Sequence, residues 1–293
     1  MKVAVYGRSF GEKFIDSIKL FFKTLKDRDI DIVVYNDFLI YLNESAGIDT
    51  GITDVFISHK DLDDSYDFLF SIGGDGTYLE SVAFVRYSNI PIIGINSGRL
   101  GFLADISQTE IPDALESVFK KEYFLGFRTL LELKSDKKLF GEMNYALNEV
   151  TLHKRDSSSM IKISAYLDDI LLNTYWADGL MVSTPTGSTA YSLSVGGPIV
   201  TPNSNNFIIA PIAPHNLSVR PLIIPDNVNI RLKVEGENIS CLAALDFRSA
   251  EFDSGLEFHI KKADFTVKTV TFSKNSFYNT LRNKLMWGYD KRN

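Results

Sequence analysis

Apolar and polar positions follow one rhythm in the first part of the chain and another in the rest. Residues 3–6, 32–35, 68–72 and 91–95 are short, nearly continuous apolar runs, the pattern of strands buried on both faces. Helical patterns separate them. In 12–26, Phe14, Ile18, Phe21, Phe22 and Leu25 fall on one face, 78–87 follows a glycine cluster, and 112–121 opens with a proline in its first turn. Strands alternating with helices predict a parallel sheet covered on both sides, with ligands bound beyond the carboxyl ends of its strands.

From about Arg128 the helical period disappears. Segments 130–133, 146–153, 161–167, 170–174, 180–183, 207–210, 229–234, 240–245 and 257–260 read as strands joined by turns, which predicts a β-rich, sandwich-like second domain. Near the end, Phe277, Leu281 and Leu285 recur at spacing four before Gly288, the pattern of a closing amphipathic helix. The expected organisation is an α/β domain over 1–126, a β-rich dinucleotide-binding domain over 127–275, and a helix over 276–293 that packs back on the first domain.

Composition narrows the class. A chain of 293 residues with 45% hydrophobic and 23% charged residues is an ordinary globular protein, and it shows no membrane-length apolar run and no signal-peptide pattern. The net charge of −6 argues against a broad nucleic-acid surface, but an anionic substrate can still be held by a local nest of amides and a divalent ion. The single cysteine, Cys241, excludes an internal disulfide and points to a reducing cytoplasm; it lies in an apolar run, as an inert buried thiol does. Four scattered histidines give no zinc pattern, and no metal ligand is assigned.

Three constellations carry chemistry. Gly73-Gly74-Asp75-Gly76-Thr77 ends a strand and opens a helix. Glycines let a phosphate approach the backbone, so a carboxylate at that spot suggests a base or a metal contact beside a phosphoryl group; the bland alternative is a helix cap. The run 178–194, from Asp178 to Ser194, is dense in hydroxyls and glycines with apolar residues on both sides. It reads as a surface for a base and a ribose, or as a turn that satisfies its own backbone. Asp178 in it either pairs with a ligand donor or forms a turn. Asn148-Glu149 offers the donors and acceptors that bracket vicinal hydroxyls.

In this order and context the three constellations resemble the NAD kinase family. Supporting segments are 94–103, 214–222 and 277–281, so the likeness covers nearly everything from Asp67 onward. The glycine turn is shared with diacylglycerol and sphingosine kinases, whereas the run 178–194 is not. The resemblance implies that Asp75 accepts the proton of the adenosine-ribose 2′-hydroxyl, with Gly74 and Gly76 admitting phosphates. It implies dinucleotide contacts from Asn148, Glu149, Asp178, Thr189, Ala190, Tyr191, Ser192, Leu193 and Ser194. Ala213 and His215 would lie near the nucleotide, partly across a subunit boundary.

The implied reaction is phosphorylation of NAD+ by ATP or another phosphoryl donor to give NADP+, with Mg2+, in a cytoplasmic homodimer or homotetramer. A diacylglycerol-type lipid kinase, or a dinucleotide sensor without turnover, are the alternatives; the first predicts lipid phosphorylation, the second binding without NADP+ formation. Three positions depart from many relatives: Glu80 is acidic, Trp176 stands where some carry a basic residue, and Ser159 lies near a histidine position. Arg248 reads either as charge beside a phosphate or as a solvated surface arginine. Without a Gly-Lys-Ser/Thr motif, the triphosphate is not held in the P-loop manner.

Overall fold

The computed structural model describes residues 1–155, 160–236, 239–273 and 276–288, so Ser159 lies outside the described residues. The chain forms two compact units, Met1–Phe127 with Val267–Asn293, and Arg128–Thr266.

In the first unit, strands β1 (Lys2–Gly7), β2 (Asp31–Tyr35), β3 (Val55–Phe56), β4 (Phe68–Gly73) and β5 (Ile92–Asn96) form a parallel sheet in the order β5-β4-β1-β2-β3. Its helices are α1 (Ile15–Lys26), α2 (Asn36–Ile40), α3 (Asp75–Val85) and α4 (Ile111–Phe119). Period-two alternation sorts the strand residues between two faces. Val3, Val5, Phe70, Ile72, Ile93 and Ile95 join a core with Ile18, Phe21 and Leu25 of α1 and Leu115 and Val118 of α4. On the opposite face Tyr6 meets the rings of Tyr35 and Phe84, each at 4.9 Å between centroids. The strand order reverses direction between β1 and β4, so the carboxyl ends of these two strands form the crevice in which such sheets bind ligands. Gly73 sits at that end of β4.

The second unit is antiparallel. It contains most of β6 (Phe124–Ser135), then β7 (Tyr145–Ala146), β8 (Glu149–Lys154), β9 (Ile161–Leu167), β10 (Ile170–Ala177), β11 (Gly179–Ser183), the short helix α5 (Tyr191–Ser194), β12 (Asn206–Ile212), β13 (Leu222–Pro225), β14 (Ile230–Glu235), β15 (Ser240–Leu245), β16 (Arg248–Asp253) and most of β17 (Glu257–Thr271). One sheet runs β10-β9-β14-β17, with β6 beside β17 and β7; the other runs β13-β12-β11-β8-β15-β16. Ile163, Ala165, Leu232 and Phe258 of the first sheet share one core with Val150, Leu152, Val182, Ile209, Cys241 and Ala243 of the second, as in a sandwich. The chain then returns to the first unit, where Thr269 of β17 pairs in parallel with Ile92. Helix α6 (Ser276–Leu285) follows, and buries Thr280 and Leu281.

Four local findings differ from the sequence pattern. The segment 146–153 is not one strand, because β7 and β8 are separated by Leu147 and Asn148, whose amides bond a side chain instead of a neighbouring strand. Strand β17 runs for 15 residues, its polar positions hiding the period. Edge strands β13 and β16 carry too few buried apolar side chains to register. Finally, α2 and the π-helical turn Tyr41–Ser45 bury Phe38, Leu39 and Leu42 in a stretch that had shown no clear period.

Phe21 is fully buried against Phe22 and Phe70. Phe21→Ala is expected to lower unfolding free energy by about 3–5 kcal/mol, read from the denaturant midpoint at unchanged m.

Candidate functional site

The glycine turn of the first unit has two kinds of glycine. A Cβ on Gly73 would lie 2.2 Å from Thr77 Oγ1, so that position is kept bare by packing at the start of α3. A Cβ on Gly74 or Gly76 would meet nothing within 4 Å, so the backbone there faces open space. Gly74 is the N-cap residue of α3 and has no side-chain cap, which disposes of Asp75 as a cap of its own helix.

The Asp75 carboxylate points elsewhere. Oδ2 accepts the backbone N–H of Phe102 at 2.9 Å, and Oδ1 accepts those of Leu103 at 2.9 Å and Ala104 at 3.1 Å. Three consecutive amides thus converge on one side chain. Two glycines make room for this: a Cβ on Gly101 would fall 1.9 Å from Asp75 Oδ1, and one on Gly94 would fall 2.6 Å from Leu103 O. Lys284 Nζ of α6 completes the set, 3.5 Å from Oδ2. None of these partners was expected from the sequence, although Gly101 lies in the recognised segment 94–103. Glu80, one turn into α3, accepts from Tyr6 Oη at 2.7 Å and from Arg8 Nε at 2.8 Å. Its unusual charge is therefore matched, and burial together with the Glu80 bond pushes the Tyr6 phenol well above its ordinary range.

In the second unit a different carboxylate organises the Asn148-Glu149 pair. Asp246 Oδ2 accepts from Leu147 N at 2.9 Å, and its Oδ1 accepts from Asn148 N at 2.7 Å and Glu149 N at 3.2 Å. Burial pushes the Asp246 carboxyl up, while the three amides and the Arg248 guanidinium act to lower it. Arg248 is half-buried and donates to the carbonyls of Met143 and Tyr145, so it is not a purely solvated arginine. Glu149 is only 8% exposed, and its Oε2 has no hydrogen-bond partner among the described residues. Burial, and secondarily the Asp246 charge, pushes its carboxyl up to about 8.

The hydroxyl-rich run divides in function. Ser183 pairs in register with Glu149, and the early hydroxyls serve the backbone. Thr184 Oγ1 donates to Leu147 O at 2.6 Å and accepts from Gly187 N at 3.1 Å, and Ser188 Oγ both donates to and accepts from Val200. Gly187 approaches so closely that a Cβ would lie 2.2 Å from Asn148 O. These contacts bring Asn148-Glu149 and the turn at 183–188 together as one packed piece. Beyond it, Thr189, Ala190 and Leu193 are half-buried, Tyr191 and Ser194 are exposed, and Ser192 is buried with its Oγ unpartnered among the described residues. Asp178, between β10 and β11, pairs with Lys154 Nζ at 2.6 Å. Ala213 turns the chain with φ of 45°, and His215 N donates to Trp176 O at 2.9 Å. His215 and Trp176 line a groove of about 530 Å³ with Asn173, Tyr175 and Leu217.

Both parts of this arrangement match domains of one class. Residues 41–123 match the ATP-NAD kinase N-terminal domain and residues 147–272 the ATP-NAD kinase C-terminal domain, which makes the protein a nucleotide-dependent kinase by class. Similarity to curated proteins runs from end to end. The chain is 47% identical to an NAD kinase of Flavobacterium psychrophilum and 46% identical to one of Cytophaga hutchinsonii, with all of each chain covered. The chain belongs to the NAD kinase family. Its fold is that of an NAD kinase from Archaeoglobus fulgidus solved in complex with ATP, at 26% identity and TM-score 0.74 over 98% of this chain and 99% of that one. A yeast NADH kinase complexed with NADH shares the fold at TM-score 0.87 and 24% identity, over 99% of this chain and 88% of that one.

Gly101→Ala is expected to push the 102–104 amides off Asp75, with about 1–3 kcal/mol lost in unfolding free energy and faster hydrogen exchange confined to those amides. Glu149 gives a pH signature. Its folded value lies above the ordinary carboxyl value, so the folded state holds the extra proton and stability falls as pH rises from about 4.5 to about 8. Glu149→Gln should flatten that part of the profile and gain stability relative to the parent at pH 8, as measured by melting at pH 5 to 8.5.

Proposed function

We propose that this chain transfers the γ-phosphoryl group of ATP to the adenosine-ribose 2′-hydroxyl of NAD+, giving NADP+. The observation that carries the reading is the end-to-end likeness to curated NAD kinases, at 47% identity over the full length of both chains. The local geometry supports it. Asp75 stands at the carboxyl end of β4, beside glycines with open space in front of them.

A ribose hydroxyl is far less acidic than a carboxylic acid, so Asp75 does not strip it beforehand. In a loose phosphoryl-transfer transition state the proton leaves late, and the first task of the carboxylate is to orient the attacking oxygen. The amides of residues 102–104 hold the carboxylate fixed for that task. A buried, protonated Glu149 is a hydrogen-bond donor as well as an acceptor, and with the Asn148 amide it offers both roles to a vicinal diol. Asp178, Thr189, Ala190, Tyr191, Ser192, Leu193, Ser194, Ala213 and His215 are assigned to dinucleotide contacts. Among the described residues no group of three or more His, Cys, Asp or Glu is placed to hold a metal. Mg2+ enters this reading carried on the phosphates of ATP, as it is in many phosphotransferases.

We further infer a cytoplasmic homodimer or homotetramer. The exposed apolar side chains Ile170, Leu171, Trp176 and Leu217 of the second unit support association, and the buried lone cysteine supports a reducing compartment. Among the described residues no helix is long and apolar enough to cross a membrane.

Asp75→Asn keeps the size of the side chain and removes its basicity. NADP+ formation in a coupled dehydrogenase assay is expected to fall by about 10²-fold or more, with NAD+ affinity by calorimetry little changed. Wild-type turnover in this variant would remove Asp75 from the mechanism.

A further inference from the structure

Lys284 has no part in the mechanism so far, yet α6 delivers it to the carboxylate of Asp75. The helix is anchored by buried Thr280 and Leu281 and by Phe277 against Phe102, 6.3 Å between ring centroids. One turn beyond these anchors, Lys284 Nζ lies 3.5 Å from Asp75 Oδ2 and 4.7 Å from the centre of the Phe102 ring.

A carboxylate has about four acceptor positions. On Asp75, three are filled by amides at 2.9, 2.9 and 3.1 Å. The fourth is the position that Lys284 approaches, at the outer limit of a hydrogen bond. A hydroxyl that gives its proton to Asp75 has to take that fourth position, so the ammonium must yield as the hydroxyl arrives. The oxygen that arrives is the one that receives the phosphoryl group, which places a new set of anionic oxygens beside the displaced cation.

We propose that Lys284 exchanges Asp75 for the transferring phosphoryl group, so that one flexible ammonium pairs the carboxylate in the free protein and the developing phosphate charge during transfer. This rests on the reading of Asp75 as the acceptor of the ribose proton. In the step, the hydroxyl O–H bond breaks and its proton passes to Asp75. The O–P bond to the γ-phosphorus forms, the bond from that phosphorus to the β,γ-bridging oxygen breaks, and its electron pair leaves on ADP. Stability does not account for the pair. Both side chains are about one-third exposed, and an ion pair in that setting contributes no more than about 1 kcal/mol to folding. The same charge set against a phosphoryl transition state acts where electrostatic stabilisation is largest.

The test compares full-length Lys284→Ala and Lys284→Arg with Asp75→Asn, using ATP and NAD+, with NAD+ affinity by calorimetry and melting temperature in parallel. The expected result for Lys284→Ala is a kcat lower by about 10- to 100-fold, NAD+ affinity within about threefold of the parent, and an unchanged melting temperature. Arginine, and ethylammonium added to the alanine variant, should restore part of the rate. A wild-type kcat in Lys284→Ala would overturn the proposal. So would a loss that follows weakened NAD+ binding, or a lowered melting temperature with no rescue by arginine, since either marks a structural role. If Asp75→Asn is impaired while Lys284→Ala is not, only the lysine's role falls; if Asp75→Asn turns over normally, the reading of Asp75 falls with it.

Discussion

A loop whose backbone amides lie outside any strand ladder needs an acceptor for them, because an N–H left without a partner costs more than most single contacts return. This protein meets the requirement twice in the same way. Asp75 collects the amides of residues 102, 103 and 104, and Asp246 collects those of 147, 148 and 149. In each case three consecutive N–H groups turn away from any strand and point at one side chain. The chain between the strands is therefore shaped by a charge, and the residues used for binding are placed by that shape. Asp246 holds the amides of Leu147, Asn148 and Glu149 where the chain enters β8, and so places the Asn148-Glu149 pair.

Close approach is the second half of the same design. Gly94 and Gly101 let the 101–104 loop reach Asp75, while Gly187 lets the hydroxyl turn press on Asn148 O. Gly74 and Gly76 are different, since nothing in the described protein occupies the space in front of them. Glycine is thus kept at the first three positions by what is already packed there, and at the other two it leaves room. Ser183, Thr184 and Ser188 belong with the first group, because their hydroxyls are spent on main-chain groups. The exposed members of the run, Tyr191 and Ser194, are the ones with surface to offer.

Much of this was legible in the sequence, for identifiable reasons. The apolar runs of β1, β4 and β5 announce a doubly covered parallel sheet, because nearly every residue in them is buried. The alternation in β14 and β15 is plain, since one face of each meets the core. Strand β17 was mostly hidden, because lysines and aspartate interrupt its period over 15 residues. Asp246 carries no mark in the sequence, because a single aspartate after an apolar strand looks like any turn residue. Lys284 was invisible for another reason, since a contact across 209 positions leaves no trace in local pattern. The glycine turn itself was easy to find, but its partner loop was not.

The first unit is assembled from two stretches of chain, with the whole second unit translated between them. Synthesis runs from the amino end, and domains tend to close as they emerge. Here the five-stranded sheet is made early but must wait for β17 to pair with β5 and for α6 to settle. The second unit is complete by then. Until α6 has emerged, Asp75 lacks its lysine, so the carboxylate at the end of β4 is made early and acquires its cation late.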